Sequence, residues 1–335
     1  MVSTHEVSIL DTTLRDGLQH EEHYMSLPDR YKLLSYLVDA GVKKIEVGSF
    51  AHPIYIPQFR EIDEFAMTLP SYEGVEYTFL ALNRRGVERA IKLKASGAPI
   101  HRILTGQIAT SASYARKNMN RTQEELFREA AESVRLLHDN GIERVVANVG
   151  TIFGCPIEGE MPLEKAYDFV GRLLDMGFDE IEHSDPDGAA SPDRMAEYCS
   201  ELMRRWPNPG IHVLHVHDIH GMGMASYYAA LQQGIRQFEC TLGRTGGQPA
   251  NRIDGVPVHG TGEYYFAQGP TGLVSTEDFV NMLHDMGYQT SIDEEKLTWA
   301  GCLAEKLFGR KLDSFVVAGQ SDRFCVDARE DTKYG

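Results

Sequence analysis

The chain has 335 residues, of which 42% are hydrophobic and 24% charged, a balance typical of a globular protein rather than a disordered or fibrous one. Its 33 Lys and Arg against 49 Asp and Glu give a formal net charge of -16, which argues against nucleic acid or an anionic membrane as a partner. No apolar run approaches the roughly 20 residues of a membrane span, and the N-terminus lacks the features of a signal peptide. We therefore expect a cytoplasmic protein with no nucleic-acid or membrane partner.

A repeated unit organises the chain: a helical segment ends at a glycine and a strand-like segment follows after a short step. The glycines in question are Gly41, Gly141, Gly177 and Gly234, with a looser copy at Gly97. Glycine supplies the left-handed residue that stops a helix, and the next apolar residue packs the turn before the strand enters the sheet. The pattern predicts a series of βα units.

In chain order, strands are predicted near residues 8–11, 44–47, 76–81, 101–104, 144–149, 180–184, 212–217 and 237–241. Amphipathic helices separate them, and capping sequences such as Ser26-Leu27-Pro28-Asp29 and Thr122-Gln123-Glu124-Glu125 mark helix starts. About eight alternating units in this length indicate an α/β fold, a closed (β/α)8 TIM barrel. The alternative is a doubly wound open sheet. Its G-x-G-x-x-G fingerprint is missing, because Gly221-Met222-Gly223 lacks the third glycine.

After the eighth strand comes a polar stretch at 243–268 that is too long for an ordinary barrel loop, and we expect it to be an extended active-site cover. A helix near 277–284 is expected to close the barrel. A further helix at 294–308 is expected as a C-terminal appendage that could serve a subunit contact in a homodimer or higher homo-oligomer. The predicted domains are a barrel at 1–290 and a packed helix and tail at 291–335.

The first candidate site residues are His215 and His217, one residue apart in a strand. Side chains two apart on a strand project to the same face, so both imidazoles would point to one spot and could form half of a divalent metal site. Arg15 and Asp16 follow the first predicted strand, on the barrel face where such enzymes keep their chemistry. The alternative is that the histidines are hydrogen-bonded interior residues and Arg15-Asp16 a surface pair.

Further polar residues stand at strand ends: Glu46 at strand two, Asn148 at strand five and Asp185 after strand six. We favour Glu46 as the partner of Arg15, because a carboxylate that holds a guanidinium orients its donors toward a substrate oxygen that gains negative charge.

These residues carry a resemblance to a known family. Thr13-Leu14-Arg15-Asp16-Gly17-Leu18-Gln19, Glu46, Phe153-Gly154-Cys155-Pro156, Lys117-Asn118-Met119-Asn120, His215-Val216-His217-Asp218 and Thr276-Glu277-Asp278 together resemble the DRE-TIM metallolyases. Within that superfamily they resemble the 3-hydroxy-3-methylglutaryl-CoA lyases. The similarity runs from about Ile9 to the C-terminal helix.

The resemblance implies a carbon–carbon lyase that cleaves a 3-hydroxyacyl-CoA or related hydroxy acid through an enolate, with a small-molecule substrate that can be a CoA thioester. Asp16, His215 and His217 would bind Mg²⁺ or Mn²⁺. Arg15 would stabilise the enolate, and Glu46 would hold Arg15. Gln19, Asn148, Asp185 and Gln248 are the expected substrate contacts.

Two positions depart from the lyase pattern. Gly246-Gly247-Gln248-Pro249 has glutamine where the lyases carry cysteine, and Leu273 stands where their asparagine metal ligand is expected. An apparent insertion at 251–263 lies between them and contains Asp254, His259 and Glu263. The insertion could supply a replacement acid, with His259 the best candidate, or a replacement ligand. Otherwise water would complete the metal shell, or catalysis has been lost.

Three functions therefore stay open on the sequence. The first is a metal-dependent carbon–carbon lyase. The second is a Claisen-type acyltransferase that joins acetyl-CoA to a 2-oxo acid, because the isopropylmalate and citramalate synthases share the opening Asp11-Thr12-Thr13-Leu14-Arg15-Asp16-Gly17. The third is a barrel that binds ligand without turnover.

Overall fold

Eight parallel strands close into a barrel in the computed structural model, in the order β1-β2-β3-β4-β5-β8-β9-β10. Their bounds are Ser8–Asp11, Lys44–Ser49, Glu76–Leu80, Arg102–Ala109, Arg144–Gly150, Glu180–Asp185, His212–Val216 and Gln237–Cys240. The short strands β6 and β7, Gly154–Cys155 and Gly159–Glu160, pair with each other outside the barrel. The structure describes residues 5–19, 21, 23–247, 251–253, 256–259 and 272–324, with backbone alone at 251–253, 256–259 and 321–324. The predicted TIM barrel is thereby confirmed, and the open sheet is excluded.

Helices surround the barrel and follow the predicted boundaries closely. They are α1 to α11, at Leu27–Asp39, Ile62–Thr68, Arg84–Ala95, Ala112–Met119, Gln123–Asp139, Leu163–Asp175, Pro192–Arg205, Gly223–Gln232, Thr276–Asp285, Glu294–Phe308 and Phe315–Phe324. Thr122 and Glu125 form a complete capping box at the start of α5. All five glycines of the predicted repeat have positive φ, between +76° at Gly141 and +101° at Gly97, as a left-handed helix stop requires.

The structure departs from the predicted elements in three places. Strand β4 continues to Ala109 because Gly106, at φ +57°, forms a bulge that restores pairing after Thr105. The stretch expected to be a cover loop contains a two-stranded antiparallel hairpin, Asn251–Ile253 with Val256–His259. The C-terminal appendage has a second helix, Phe315–Phe324, after the predicted one.

The alternation of side chains along the strands decides which residues enter the barrel. On β8, Glu182 and Ser184 line the interior cavity, whereas Ile181 belongs to the apolar layer between strands and helices. On β9, His215 faces inward and Leu214 packs outward. The two-residue period of a strand thus directs alternate side chains into the barrel and toward the surrounding helices.

The barrel interior is itself divided. Leu80, Leu104 and Val146, on β3 to β5, form a small apolar cluster inside the barrel. The opposite side, from β8 round to β2, carries charged groups. Among the helices that the structure describes, none combines the length and the apolar character needed to cross a bilayer.

A buried ion network lies at the amino-terminal end of the barrel. Arg102 Nη2 donates to Glu180 Oε2 at 2.5 Å, and Arg144 Nη1 donates to Glu180 Oε1 at 2.9 Å. The side chains of Arg102 and Glu180 are each 1% exposed. Removing one partner of such a pair leaves an uncompensated buried charge.

We therefore predict that Glu180→Gln lowers the free energy of unfolding by about 3 kcal/mol, measured by urea denaturation. As a control, Glu132→Gln disrupts the exposed pair with Arg84, whose side chains are 60% and 65% exposed, and should cost less than about 1 kcal/mol. Equal effects of the two substitutions would show that the network is not a structural anchor.

Candidate metal centre and substrate cavity

Arg15 and Asp16 lie on a π-helical turn, Thr13–Gly17, that follows β1 and is buried throughout. Arg15 Nε donates to Glu46 Oε2 at 2.5 Å, and its Nη1 donates to Asp16 Oδ2 at 2.6 Å. A single π-helical turn is often found at functional sites, because it turns side chains away from the regular helical positions. The predicted pairing of Glu46 with Arg15 is present in the structure.

The carboxylate of Asp16 is fixed from three sides. Besides Arg15, Gln19 Nε2 donates to Asp16 Oδ2 at 2.7 Å and the Gly247 amide donates to Oδ1 at 3.2 Å. Gly246 has φ +104°, and a Cβ there would lie 2.4 Å from Asp16 Oδ1, so this close approach requires glycine. Burial, the largest single effect, would raise the pKa of Asp16. The charge of Arg15, the two histidines and the Gly247 amide together outweigh it and hold that pKa below its ordinary value.

The two histidines of β9 converge as predicted. His215 Nε2 and His217 Nε2 lie 3.1 Å apart, close to the spacing of ~3.0 Å expected for neighbouring ligands at metal bonds of about 2.1 Å. Ligand atoms of Asp16, His215 and His217 lie within 4.8 Å of one another. Burial lowers the pKa of His215, which favours the neutral imidazole that a metal requires.

Buried carboxyl groups lie next to His215. His215 Nδ1 lies 2.7 Å from Glu239 Oε2, the kind of contact that orients a metal-ligating imidazole. Burial raises the pKa of Glu46 and of Glu182 to about 7 and that of Glu239 to about 8. These three acids share the guanidinium of Arg15 as a nearby cation. A divalent cation would relieve their mutual repulsion. The residues present therefore fit a metal ion.

The structure also tests the departure at Leu273. Leu273 forms an antiparallel bridge with His217, and the Asp218 amide donates to the Gly272 carbonyl at 2.8 Å. The backbone thus passes beside the histidine pair, where the resemblance puts a ligand. Leucine has no donor atom for a metal. Of the expected ligands within the described residues, Asp16, His215 and His217 remain.

Two acids in the barrel were not selected from the sequence, namely Glu182 and Glu239. Asp185 was selected instead, and the structure corrects its role. The carboxylate of Asp185 accepts hydrogen bonds from the amides of Ala189 and Ala190. Asp185 does not line the cavity at the carboxyl ends of the strands. Strand parity is the signal that could have found Glu182, because it shares the inward face with Ser184.

The other predicted substrate contacts differ in what the structure says of them. Asn148 and Gln19 line the cavity, and Asn148 Nδ2 donates to Glu182 Oε1 at 2.5 Å. Gln248 lies outside the described residues. His259 ends the hairpin strand Val256–His259, and its side chain lies outside the description.

A cavity of about 1380 Å³ opens at the carboxyl ends of the strands. Its inner end is formed by Arg15, Asp16, His215 and His217, and one wall by Leu80, Leu82 and Leu104. Its outer part runs along helix α4, Ala112–Met119, and the loop that follows. The candidate metal ligands thus lie at the bottom of a space large enough for an extended ligand.

Comparisons with known proteins agree with this geometry. The HMGL-like family model matches residues 6–303. Hydroxymethylglutaryl-CoA lyase of Pseudomonas mevalonii is 32% identical over 88% of this chain and 90% of its own length. The (R)-citramalyl-CoA lyase of Chloroflexus aurantiacus is 31% identical over 92% of this chain and 93% of its own.

Solved structures give the same result. The HMG-CoA lyase of Bacillus subtilis superposes with a TM-score of 0.83 at 29% identity, covering 95% of this chain and 98% of that one. An HMG-CoA lyase of Acinetobacter baumannii, in complex with coenzyme A and 3-methylmalate, has a TM-score of 0.82 at 26% identity over 95% and 96% of the two chains. The chain therefore belongs to the HMGL-like family of DRE-TIM carbon–carbon lyases.

Proposed function

We propose that this protein is a divalent-metal-dependent lyase that cleaves the C2–C3 bond of a 3-hydroxyacyl-CoA and releases an enolate of the shorter acyl-CoA. The observation that carries the proposal is the convergence of Asp16, His215 and His217 beside Arg15 at the bottom of the cavity. The relatives that the chain matches are named as lyases, which favours cleavage over the Claisen condensation considered from the sequence.

In this proposal Asp16, His215 and His217 hold Mg²⁺ or Mn²⁺, which would supply Lewis acidity to the substrate's hydroxyl and carbonyl oxygens. Arg15 is placed to stabilise negative charge on the enolate oxygen, since its guanidinium lines the same cavity. Glu46 fixes the plane of that guanidinium through Nε. Gln19 holds both the Asp16 carboxylate and the Gly247 carbonyl, so it links the ligand to the glycine turn.

The proposed thioester is supported by the outer part of the cavity. Arg116, Lys117 and Arg121 line it there and are exposed. Arg121 is paired with Glu129, and Arg116 and Lys117 add positive charge to this surface, in a chain whose net charge is -16. The phosphates of a CoA group are anions that such a surface attracts. The related Acinetobacter baumannii lyase binds coenzyme A.

The proton that converts the enolate to the free acyl group needs a donor. The glycine turn has Gln248 where the lyases have cysteine, and a neutral amide is not a useful acid. We assign the donor role to His259, at the end of the hairpin strand Val256–His259, because imidazole titrates near neutral pH. Gln248 is retained as a substrate contact. The homo-oligomer and the cytoplasmic location stay predictions from the sequence.

The metal assignment predicts that His217→Ala lowers bound Mn²⁺ and turnover together. The ligand set loses one imidazole, so the affinity for Mn²⁺ should fall by on the order of 10-fold to 100-fold or more, measured by isothermal titration calorimetry. His138→Gln changes a partly exposed histidine paired with Asp179 and is the control. Unchanged Mn²⁺ affinity of His217→Ala would disprove the ligand assignment.

The charge-stabilising role predicts that Arg15→Lys lowers kcat by on the order of 10². Lysine keeps the positive charge but cannot bridge Glu46 and Asp16 as the planar guanidinium does. The melting temperature should change little, because the buried carboxylates keep a cationic partner. Glu46→Gln should show a smaller fall in kcat. If Arg15→Lys instead unfolds the protein at normal kcat per folded molecule, Arg15 is structural.

The acid assignment predicts that His259→Ala lowers kcat by about 10² or more and removes a titration near neutral pH from the pH–rate profile. Glu263→Gln, in the same insertion, is the matched control and should keep both. Full activity of His259→Ala across the pH range would eliminate His259 as the donor.

A further inference from the structure

Two buried oxygen atoms in the cavity have no hydrogen-bond partner within the described part of the chain. They are Asn148 Oδ1 and Glu182 Oε2. Both side chains line the cavity, and both residues are 2% exposed. Leaving a buried acceptor unsatisfied costs free energy, so a pair of them on one wall indicates that a ligand supplies the missing donors.

The orientation of the two acceptors is fixed. Asn148 and Glu182 are register partners on neighbouring strands, and Asn148 Nδ2 donates to Glu182 Oε1. That bond commits the amide nitrogen and one carboxylate oxygen. The atoms left for a ligand are Asn148 Oδ1, which is an acceptor, and Glu182 Oε2, which accepts when the carboxyl group is ionised. A hydroxyl that enters here can donate to one of the two oxygens, and an ammonium group has enough donors for both.

The location relates these acceptors to the reacting end of the cavity. Ser184 pairs with His215 in the strand register, and Glu182 precedes Ser184 by two residues on the same face. Two residues span roughly 6.6 Å along a strand, so Glu182 lies about one pleat deeper than the candidate metal ligand. Leu80 and Leu104, on β3 and β4, line the same cavity next to Asn148 on β5. A short acyl substituent that extends inward from the metal would meet an apolar wall and one patch of acceptors.

The charge of the surrounding side chains limits which chemical group can end that substituent. Glu46, Glu182 and Glu239 are all buried in this part of the barrel, and the atoms that Asn148 and Glu182 leave unpaired there are oxygens. A substrate carboxylate placed against Glu182 would add another negative charge in a site of low dielectric. The acyl groups named for the relatives, hydroxymethylglutaryl and citramalyl, both end in a carboxylate. The wall formed by Asn148 and Glu182 disfavours such an end.

We propose that Asn148 and Glu182 form a specificity subsite for a 3-hydroxyacyl thioester whose acyl chain ends in a hydrogen-bond donor, a hydroxyl or ammonium group, in place of a carboxylate. The subsite rests on the lyase function proposed above and names its substrate class. The reaction is unchanged: the C2–C3 bond breaks, its electron pair becomes the enolate of acetyl-CoA, and the 3-hydroxyl loses its proton and becomes the carbonyl of a ketone.

The test uses the Mn²⁺-loaded enzyme and four CoA thioesters that differ only at C5. They are 3-hydroxy-3-methylglutaryl-CoA, 3,5-dihydroxy-3-methylpentanoyl-CoA, 5-amino-3-hydroxy-3-methylpentanoyl-CoA and 3-hydroxy-3-methylpentanoyl-CoA, which present a carboxylate, a hydroxyl, an ammonium group and a methyl group. Acetyl-CoA release gives kcat/KM for each. The hydroxyl or ammonium compound should exceed both the carboxylate and the methyl compound by about 10² or more. A carboxylate or methyl preference would overturn the subsite while leaving the lyase function intact.

Two variants test whether the substrate preference depends on Glu182. Glu182→Gln removes the charge at similar shape, so the ratio of the ammonium to the carboxylate compound should fall to within about tenfold. Asp187→Asn removes a charge from the loop after the same strand, outside the cavity lining, and should leave the ratio unchanged. A ratio that is the same in Glu182→Gln and the native enzyme would overturn the assignment. A preference for the ammonium compound over the hydroxyl compound would identify Glu182 as the counter-ion of the ammonium group. The reverse preference would indicate a neutral hydrogen bond. Both outcomes support the subsite.

A binding measurement separates the two proposals. Kd values of the four thioesters are measured by calorimetry on Mn²⁺-loaded Arg15→Lys, in which turnover is slow. If the native enzyme cleaves none of the compounds, the lyase proposal fails, but tighter binding of the hydroxyl or ammonium compound still supports the subsite. Tighter binding of the carboxylate or methyl compound overturns it.

Discussion

The whole site depends on one buried guanidinium. Arg15 contacts Glu46 through Nε and Asp16 through Nη1. Burial raises the pKa of Glu182 and of Glu239, and the charge of Arg15 opposes that rise. Without it, Glu46 and Asp16 would lose the cation that they contact, and burial would favour their protonated forms. Asp16 could then no longer serve as an anionic ligand.

This arrangement explains why the turn after β1 has the shape it does. The π-helical turn Thr13–Gly17 puts two consecutive residues, Arg15 and Asp16, into the same interior space. On a strand, consecutive side chains would point to opposite faces. The glycine turn at Gly246 then closes over Asp16, where a side chain would collide with its carboxylate. The local backbone geometry and the buried charges therefore depend on each other. The π-helical turn brings Arg15 and Asp16 together, and the contacts of Asp16 with Arg15 and Gly247 stabilise that turn.

The sequence predicted the barrel well because its signals are local. Helix-stopping glycines, capping boxes and the two-residue period of the strands act within a few residues, and the eight strands form close to where they were predicted. The histidine pair was predictable for the same reason, as was the pairing of Glu46 with Arg15 once the barrel order was known. In contrast, the bulge at Gly106 extends β4 through pairing with a neighbouring strand, which local pattern does not contain.

The interior acids were harder to predict, and the reason is physical. Glu182 and Glu239 look like ordinary polar residues in strands, and only closure of the barrel tells which face is inside. Asp185 was favoured by its position at a strand end, but its parity differs from that of Glu182, and its carboxylate serves the loop amides. Strand-end position alone is thus a weaker criterion than strand-end position combined with parity.

The division of the barrel interior suggests how members of one family can differ in substrate. In the proposed lyase, the side that holds Asp16, His215 and His217 serves the reaction and allows little change, because each proposed ligand needs its own supporting partner. The side formed by Leu80, Leu104 and Val146 contributes only shape. Asn148 and Glu182 stand on the border between them. They line the same cavity as Asp16, His215 and His217 and are outside the proposed ligand set. A change of residue at this border alters what the acyl chain can carry without disturbing the groups that break the bond, so specificity can change while the chemistry is kept.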